Sequence, residues 1–194
     1  MTDTAPAMPC PPDLLANAVD VVRADDAKGL QRLDELLRDY PDDAQLHFLR
    51  GSVLAGVERY DEARAAMRQA VDLAPLYTVA RFQLGLLELS SGDGAAADST
   101  LEPLEQLGGV NALALFARGL RLLMRDDFEG SLAALREGVA RNTETPAINR
   151  DMGLIIAELE QKLGGASSDA ATGEEPTTST QMLLQQFAAK GAKH

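Results

Sequence analysis

Along most of the chain, apolar residues recur at three- and four-residue steps, in runs separated by short acidic or proline-bearing breaks. Leu14, Leu15, Ala18, Val21 and Val22 make the first stripe, and Pro12 and Asp13 open it. Proline is tolerated there because the N–H it lacks has no partner in a helix's first turn. Asp25–Asp26 marks a break and a new N-terminus; Leu30, Leu33, Leu36 and Leu37 form the second stripe, which Pro41 ends. Further runs, HFLRGSVLAG, RFQLGLLELS, LFARGLRLLM and NRDMGLIIAE, carry the same helical period onward to Leu163. The pattern predicts an all-α chain of short helices. Pro103 falls inside one of them and is expected to kink or shorten it, since its ring blocks the helical hydrogen bond there.

Each of the four later runs holds a glycine, and Gly51, Gly85, Gly119 and Gly153 stand 34 residues apart. A mid-helix glycine costs about 1 kcal/mol relative to alanine. Four on one ruler point to a packing contact that favours a missing side chain. Ala63, Ala97 and Ser131 follow on a ruler of their own, with Met67, Leu101 and Leu135 one turn later. Pro41 and Pro75 keep the same separation, and Gly109 stands where the next proline would fall.

The residues His47, Gly51 and Leu54, then Ala63 and Met67, then Pro75, with Tyr60–Ala63 (YDEA) between the helices, resemble the tetratricopeptide repeat, a helix–turn–helix unit of 34 residues. Leu84, Gly85, Ala97 and Leu101 repeat the pattern, as do Gly119, Leu122, Phe128 and Leu135. The resemblance implies a right-handed superhelix, an α-solenoid of antiparallel helix pairs in which each glycine meets the small residue of the following helix. It implies repeats at about 10–43, 44–77, 78–111 and 112–145, a capping helix over 146–163, and a domain spanning 10–163. Residues 1–9 read as a disordered leader. Residues 164–179 lack apolar periodicity and read as a flexible linker. Residues 180–194 form a short tail whose Met182, Leu183, Leu184 and Phe187 make an apolar cluster. That tail is expected to dock on its own chain, to mediate self-association, to serve a second partner, or to stay unordered.

A second ladder, Phe48, Phe82 and Phe116, runs three residues ahead of the glycines. In the family, this position and the one a turn later usually face the concave groove. The resemblance therefore implies a partner groove of Phe48, Ser52, Phe82, Leu86, Leu89, Leu113, Phe116, Leu120 and Leu123. The alternative is that the phenylalanines pack between helices as core. Family members that clamp chaperone C-terminal tails place Lys, Asn and Arg on these sites. Here Phe48, Ser52, Gln83, Leu113 and Ala117 stand there, with no cation to grip a carboxylate.

Charge narrows the partner. The formal net charge of −12 disfavours binding to nucleic acid or to an anionic membrane surface. No run of about 18 apolar residues exists, so no membrane insertion is expected. The leader has neither a basic nor an apolar segment of secretory type, and Cys10 is the single cysteine, so a cytoplasmic location is expected. His47 and His194 have no metal-ligand spacing around them. The acidic pairs Asp25–Asp26, Asp42–Asp43, Asp61–Glu62 and Asp126–Asp127 sit where capping explains them. No nucleotide loop, nucleophile elbow or cofactor fingerprint is present, so neither an enzyme nor a cofactor is expected. Arg50, Arg81, Arg118, Arg121 and Arg150 lie on the first helices, either as a solvated face paired with acids or as flanks that orient an acidic peptide. The chain thus reads as a scaffold or adaptor for an apolar helical or extended segment of a protein partner. Its alternative is a secretion or assembly chaperone for a hydrophobic client, similar to those of type III secretion.

Overall fold

The computed structural model describes residues 9–166, and all its regular structure is helical. The helices are α1 (Pro12–Ala24), α2 (Asp26–Asp39), α3 (Ala44–Gly56), α4 (Tyr60–Leu73), α5 (Thr78–Ser90), α6 (Gly94–Leu101), α7 (Ala112–Leu123), α8 (Phe128–Arg141) and α9 (Pro146–Ala166). Helices α3, α5, α7 and α9 begin at Ala44, Thr78, Ala112 and Pro146, each 34 residues after the last.

Local chemistry sets most of these boundaries. Asp25, Asp43, Asp93, Asn111 and Asp127 each accept backbone N–H groups from the first turn of the helix they precede. Those donors have no partner within the helix, so a side-chain acceptor there stabilises the end by about 1 kcal/mol. Helix α4 has no side-chain cap; Asp61 and Glu62 supply negative charge in its first turn instead. Pro103 acts as its chemistry requires. Helix α6 stops at Leu101, and a 3-10 segment, Glu102–Leu107, carries the chain on.

The turns after α3, α5 and α7 share one geometry. Glu58, Gly92 and Asp126 have positive φ of 63°, 82° and 57°. The next N–H in each case reaches back to a carbonyl five residues earlier: Arg59 to Leu54 at 2.9 Å, Asp93 to Glu88 at 3.0 Å, and Asp127 to Leu122 at 3.0 Å. This is the left-handed helix stop that glycine favours, used here twice without glycine.

The chain divides into two compact units, Met1–Leu84 and Gly85–His194. In the first, α1 pairs with α2, α2 packs on α3, and α3 pairs with α4. Cys10, Ala18, Leu33, Leu36, Leu46 and Val53 are buried together, with Leu14, Leu15, Val22, Leu30, Leu37, Tyr40 and Leu49 against them. Cys10 therefore belongs to a core rather than to a loose leader. Its backbone N–H donates to Asp43 Oδ2 at 2.7 Å, so one carboxylate caps α3 and pins the chain's approach to α1. In the second unit α6 and the 3-10 segment pack on α7, α7 pairs with α8, and α8 packs on α9.

The glycine ruler has a steric basis inside each pair. A Cβ on Gly51 would come within 2.7 Å of Met67 Cγ and 3.1 Å of the Ala63 carbonyl oxygen; on Gly85 or Gly119 it would lie 2.6 Å from Leu101 or Leu135. The expectation named the small residues as the glycines' partners. At Gly85 and Gly119 the nearest atoms instead belong to the leucine one turn further on.

Candidate functional site

The phenylalanine ladder is not one surface. Phe82 and Phe116 are fully buried, as are Leu89, Leu120 and Leu123, whereas Phe48, Ser52, Leu86 and Leu113 are half-buried. In the second unit the reason is visible in the helix pairing. Gly138 of α8 leaves a gap that the Phe116 ring fills; a Cβ there would lie 2.5 Å from the ring. Phe82 and Phe116 therefore take the core role, with no face open to a partner in this structure. The tail cluster, Met182, Leu183, Leu184 and Phe187, lies outside the described residues, as do residues 1–8.

Phe48 differs. Its ring lies 5.0 Å from that of Tyr77, centroid to centroid, with the two planes tilted by 55°, within the range of favourable aromatic pairs. One turn on from Phe48, the Ser52 hydroxyl donates to the Phe48 carbonyl at 2.9 Å and lies 3.5 Å from Gln83 Oε1. Phe48, Ser52, Tyr77 and Gln83 thus form one half-exposed patch within the first unit, apolar at one end and hydrogen-bonding at the other. Burial, and then the nearby Asp43 carboxylate, pushes the Tyr77 phenol up, so it stays a neutral donor across the physiological range. Tyr77 was missed in the sequence because it stands in the turn before α5, off the helical ruler. Its aromaticity beside Pro75 was the available signal.

His47 Nε2 lies 2.7 Å from the Pro41 carbonyl oxygen. A carbonyl only accepts, so that nitrogen carries the proton. Arg81 makes the equivalent bond to the Pro75 carbonyl at 3.1 Å. Both side chains therefore tie a helix to the loop before it.

Two of the remaining arginines on the first helices are held by acids. Arg50 Nε donates to Asp34 at 2.7 Å. Arg121, only 11% exposed, donates to Asp98 at 2.8 Å and Glu105 at 2.6 Å, and Arg125 joins Asp98 at 3.1 Å. The Arg121 hydrogen bond, helped by the Arg125 charge, holds the Asp98 carboxyl below its ordinary range. Arg118 and Arg150 are exposed.

Three further polar groups are sequestered in the second unit. Glu88 is buried on α5, at the place on the ruler that Leu54 and Leu122 occupy elsewhere. The buried Ser131 hydroxyl has no hydrogen-bond partner among the described residues. Lys162 Nζ sits 3.8 Å above the Phe128 ring, and burial pushes its pKa down. Among the described residues no group of three or more His, Cys, Asp or Glu is placed to hold a metal ion, and no helix is long and apolar enough to cross a membrane.

Residues 25–78, the stretch from the α2 cap to the first residue of α5, match the family model of the tetratricopeptide repeat. That stretch carries the tetratricopeptide repeat. The solved structures of MamA are similar to the chain. A MamA RS-1 ArsTM double mutant is 16% identical with a TM-score of 0.60, covering 94% of this chain and 97% of its own. MamA 41-end from Desulfovibrio magneticus RS-1 is 20% identical with a TM-score of 0.57, covering 81% of this chain and 97% of its own. At these identities the likeness concerns the fold, an all-α solenoid of paired helices. No curated protein matches the chain. Tetratricopeptide-repeat chains serve in general as protein-interaction scaffolds.

Proposed function

We propose that this scaffold binds an apolar helical or extended segment of a protein partner through the patch of Phe48, Ser52, Tyr77 and Gln83. The observation that carries the reading is the half-exposed aromatic pair beside a hydroxyl and an amide. Aromatic anchors supply most of the binding energy at interfaces, and neighbouring polar groups set direction and register. Ser52 and Gln83 stand on sites where the carboxylate-clamping members of the family carry Lys, Asn or Arg, which favours apolar side chains over a terminal carboxylate. Arg121, Asp98, His47 and Arg81 are all engaged in holding helices, which supports a role in binding.

Peptide display against the full chain tests this. Selection should enrich segments with apolar residues at spacings of three and four. Phe48→Asp and Tyr77→Asp should each weaken the selected peptides at least about tenfold while leaving far-UV circular dichroism unchanged. Equal binding by wild type and both variants would overturn the assignment of this patch.

A further inference from the structure

Ser52 and Gln83 break the pattern of the repeats they belong to. At the places on the 34-residue ruler that correspond to Ser52 stand Leu86 and Leu120, and at those that correspond to Gln83 stand Leu49 and Ala117. The other repeats thus fill both positions with apolar side chains, and packing calls for neither a hydroxyl nor an amide. Yet in the first unit the two polar groups lie 3.5 Å apart, and Ser52 stands one turn of α3 beyond Phe48 and its ring contact with Tyr77.

Their hydrogen-bonding capacity is only partly used. A serine hydroxyl has one proton, and that of Ser52 goes to the Phe48 carbonyl at 2.9 Å, which leaves only its lone pairs. It has nothing left to donate to Gln83 Oε1, and their 3.5 Å separation exceeds the roughly 2.5–3.0 Å of a hydroxyl hydrogen bond. Among the described residues nothing accepts from the Gln83 amide nitrogen. Both side chains are half-buried. An apolar side chain laid over them would leave an amide and a hydroxyl unsatisfied, a penalty larger than one apolar contact offsets. A carboxylate or an ammonium would give up its water for two neutral groups. What fits is a neutral group that both donates and accepts, and a primary carboxamide is such a group. Its two N–H bonds match Ser52 Oγ and Gln83 Oε1, and its oxygen matches the Gln83 amide nitrogen.

On the reading that this patch is the binding site, we propose that Gln83, together with Ser52, selects a partner segment carrying an asparagine or glutamine beside its apolar anchor. The anchor rests on the Phe48–Tyr77 pair. Ser52 stands four residues on from Phe48, about 6 Å along α3. The carboxamide accordingly falls three or four residues from the anchor in a helical segment, and two in an extended one.

The test takes the peptides selected by display on the full chain and replaces each Asn and Gln in turn by Leu and by Lys, with binding read by fluorescence anisotropy. The selection should enrich Asn or Gln at those spacings, and Leu or Lys in its place should weaken binding at least about tenfold. Gln83→Leu should reverse the preference in favour of Leu. Gln83→Glu, nearly the same size, should turn it toward Lys, a gain that misfolding does not mimic. Selected peptides without Asn or Gln at these spacings, or a preference that is the same in both Gln83 variants as in the wild type, would overturn this inference alone while Phe48→Asp still weakens the peptides. A selection that enriches nothing, or peptides that bind Phe48→Asp and Tyr77→Asp as tightly as the wild type, would remove the patch and this inference with it.

Discussion

The Cδ1–Cε1 edge of the Phe116 ring fills the gap left by Gly138: a Cβ on that glycine would stand 2.5 Å from both atoms. The ring cannot give way easily, because it is fully buried on its other sides. Gly138→Ala should therefore destabilise the protein by about 1–3 kcal/mol through overpacking, and Phe116→Ala by about 3–5 kcal/mol through the cavity it leaves. Gly56→Ala is the control, since nothing lies within 4 Å of that helical glycine, and it should stabilise by about 0.5–1 kcal/mol. Chemical denaturation of the three variants reads all of this.

Asp43 does two jobs with one carboxylate, accepting Gln45 and Leu46 N–H groups with Oδ1 and the Cys10 N–H with Oδ2. Asp43→Ala removes the cap, worth about 1 kcal/mol, and strands a buried N–H, worth about 1–3 kcal/mol more. The expected signature is a lower melting point together with faster alkylation of Cys10, which is otherwise buried. Unchanged Cys10 reactivity would show that the carboxylate does not hold this stretch.

Glu58 adopts φ of 63° in the turn between α3 and α4, where Gly92 serves between α5 and α6. Left-handed backbone costs a residue with a Cβ about 1–2 kcal/mol, and glycine avoids it while losing more chain entropy on folding. Glu58→Gly should thus stabilise by up to about 1 kcal/mol. A drop in melting temperature would contradict the strain argument.

Asp98 links stability to acid. Its folded pKa is lowered, first by the hydrogen bond from Arg121, so its contribution is present above the unfolded carboxylate value of about 4 and disappears as pH falls through the lower folded value. The side chain is 38% exposed, and solvent screening keeps the effect within about 1 kcal/mol. Asp98→Asn should flatten the loss of stability below about pH 4, and high salt should reduce the difference between the two proteins. Parallel acid-denaturation curves would rule out this linkage.

Features within one turn of sequence were legible from residue order alone. The caps at Asp25, Asp43 and Asp127, the interruption at Pro103 and the 34-residue ruler of glycines each depend on short-range hydrogen bonding or on helical period, which the chain carries locally. Whether a side chain on a helix is covered depends on a neighbour that the period does not name. Phe48, Phe82 and Phe116 occupy equivalent positions, yet only Phe48 keeps an open edge. Phe116 is closed off by the gap at Gly138, and Phe48 gains Tyr77 from a turn that no helical pattern includes. Gly153 keeps its place on the ruler without, among the described residues, the contact that explains the other three. Sequence periodicity determined where each helix runs and which face is apolar; tertiary packing alone decided which of those faces is filled, because burial is set by the volume of residues brought together from distant parts of the chain.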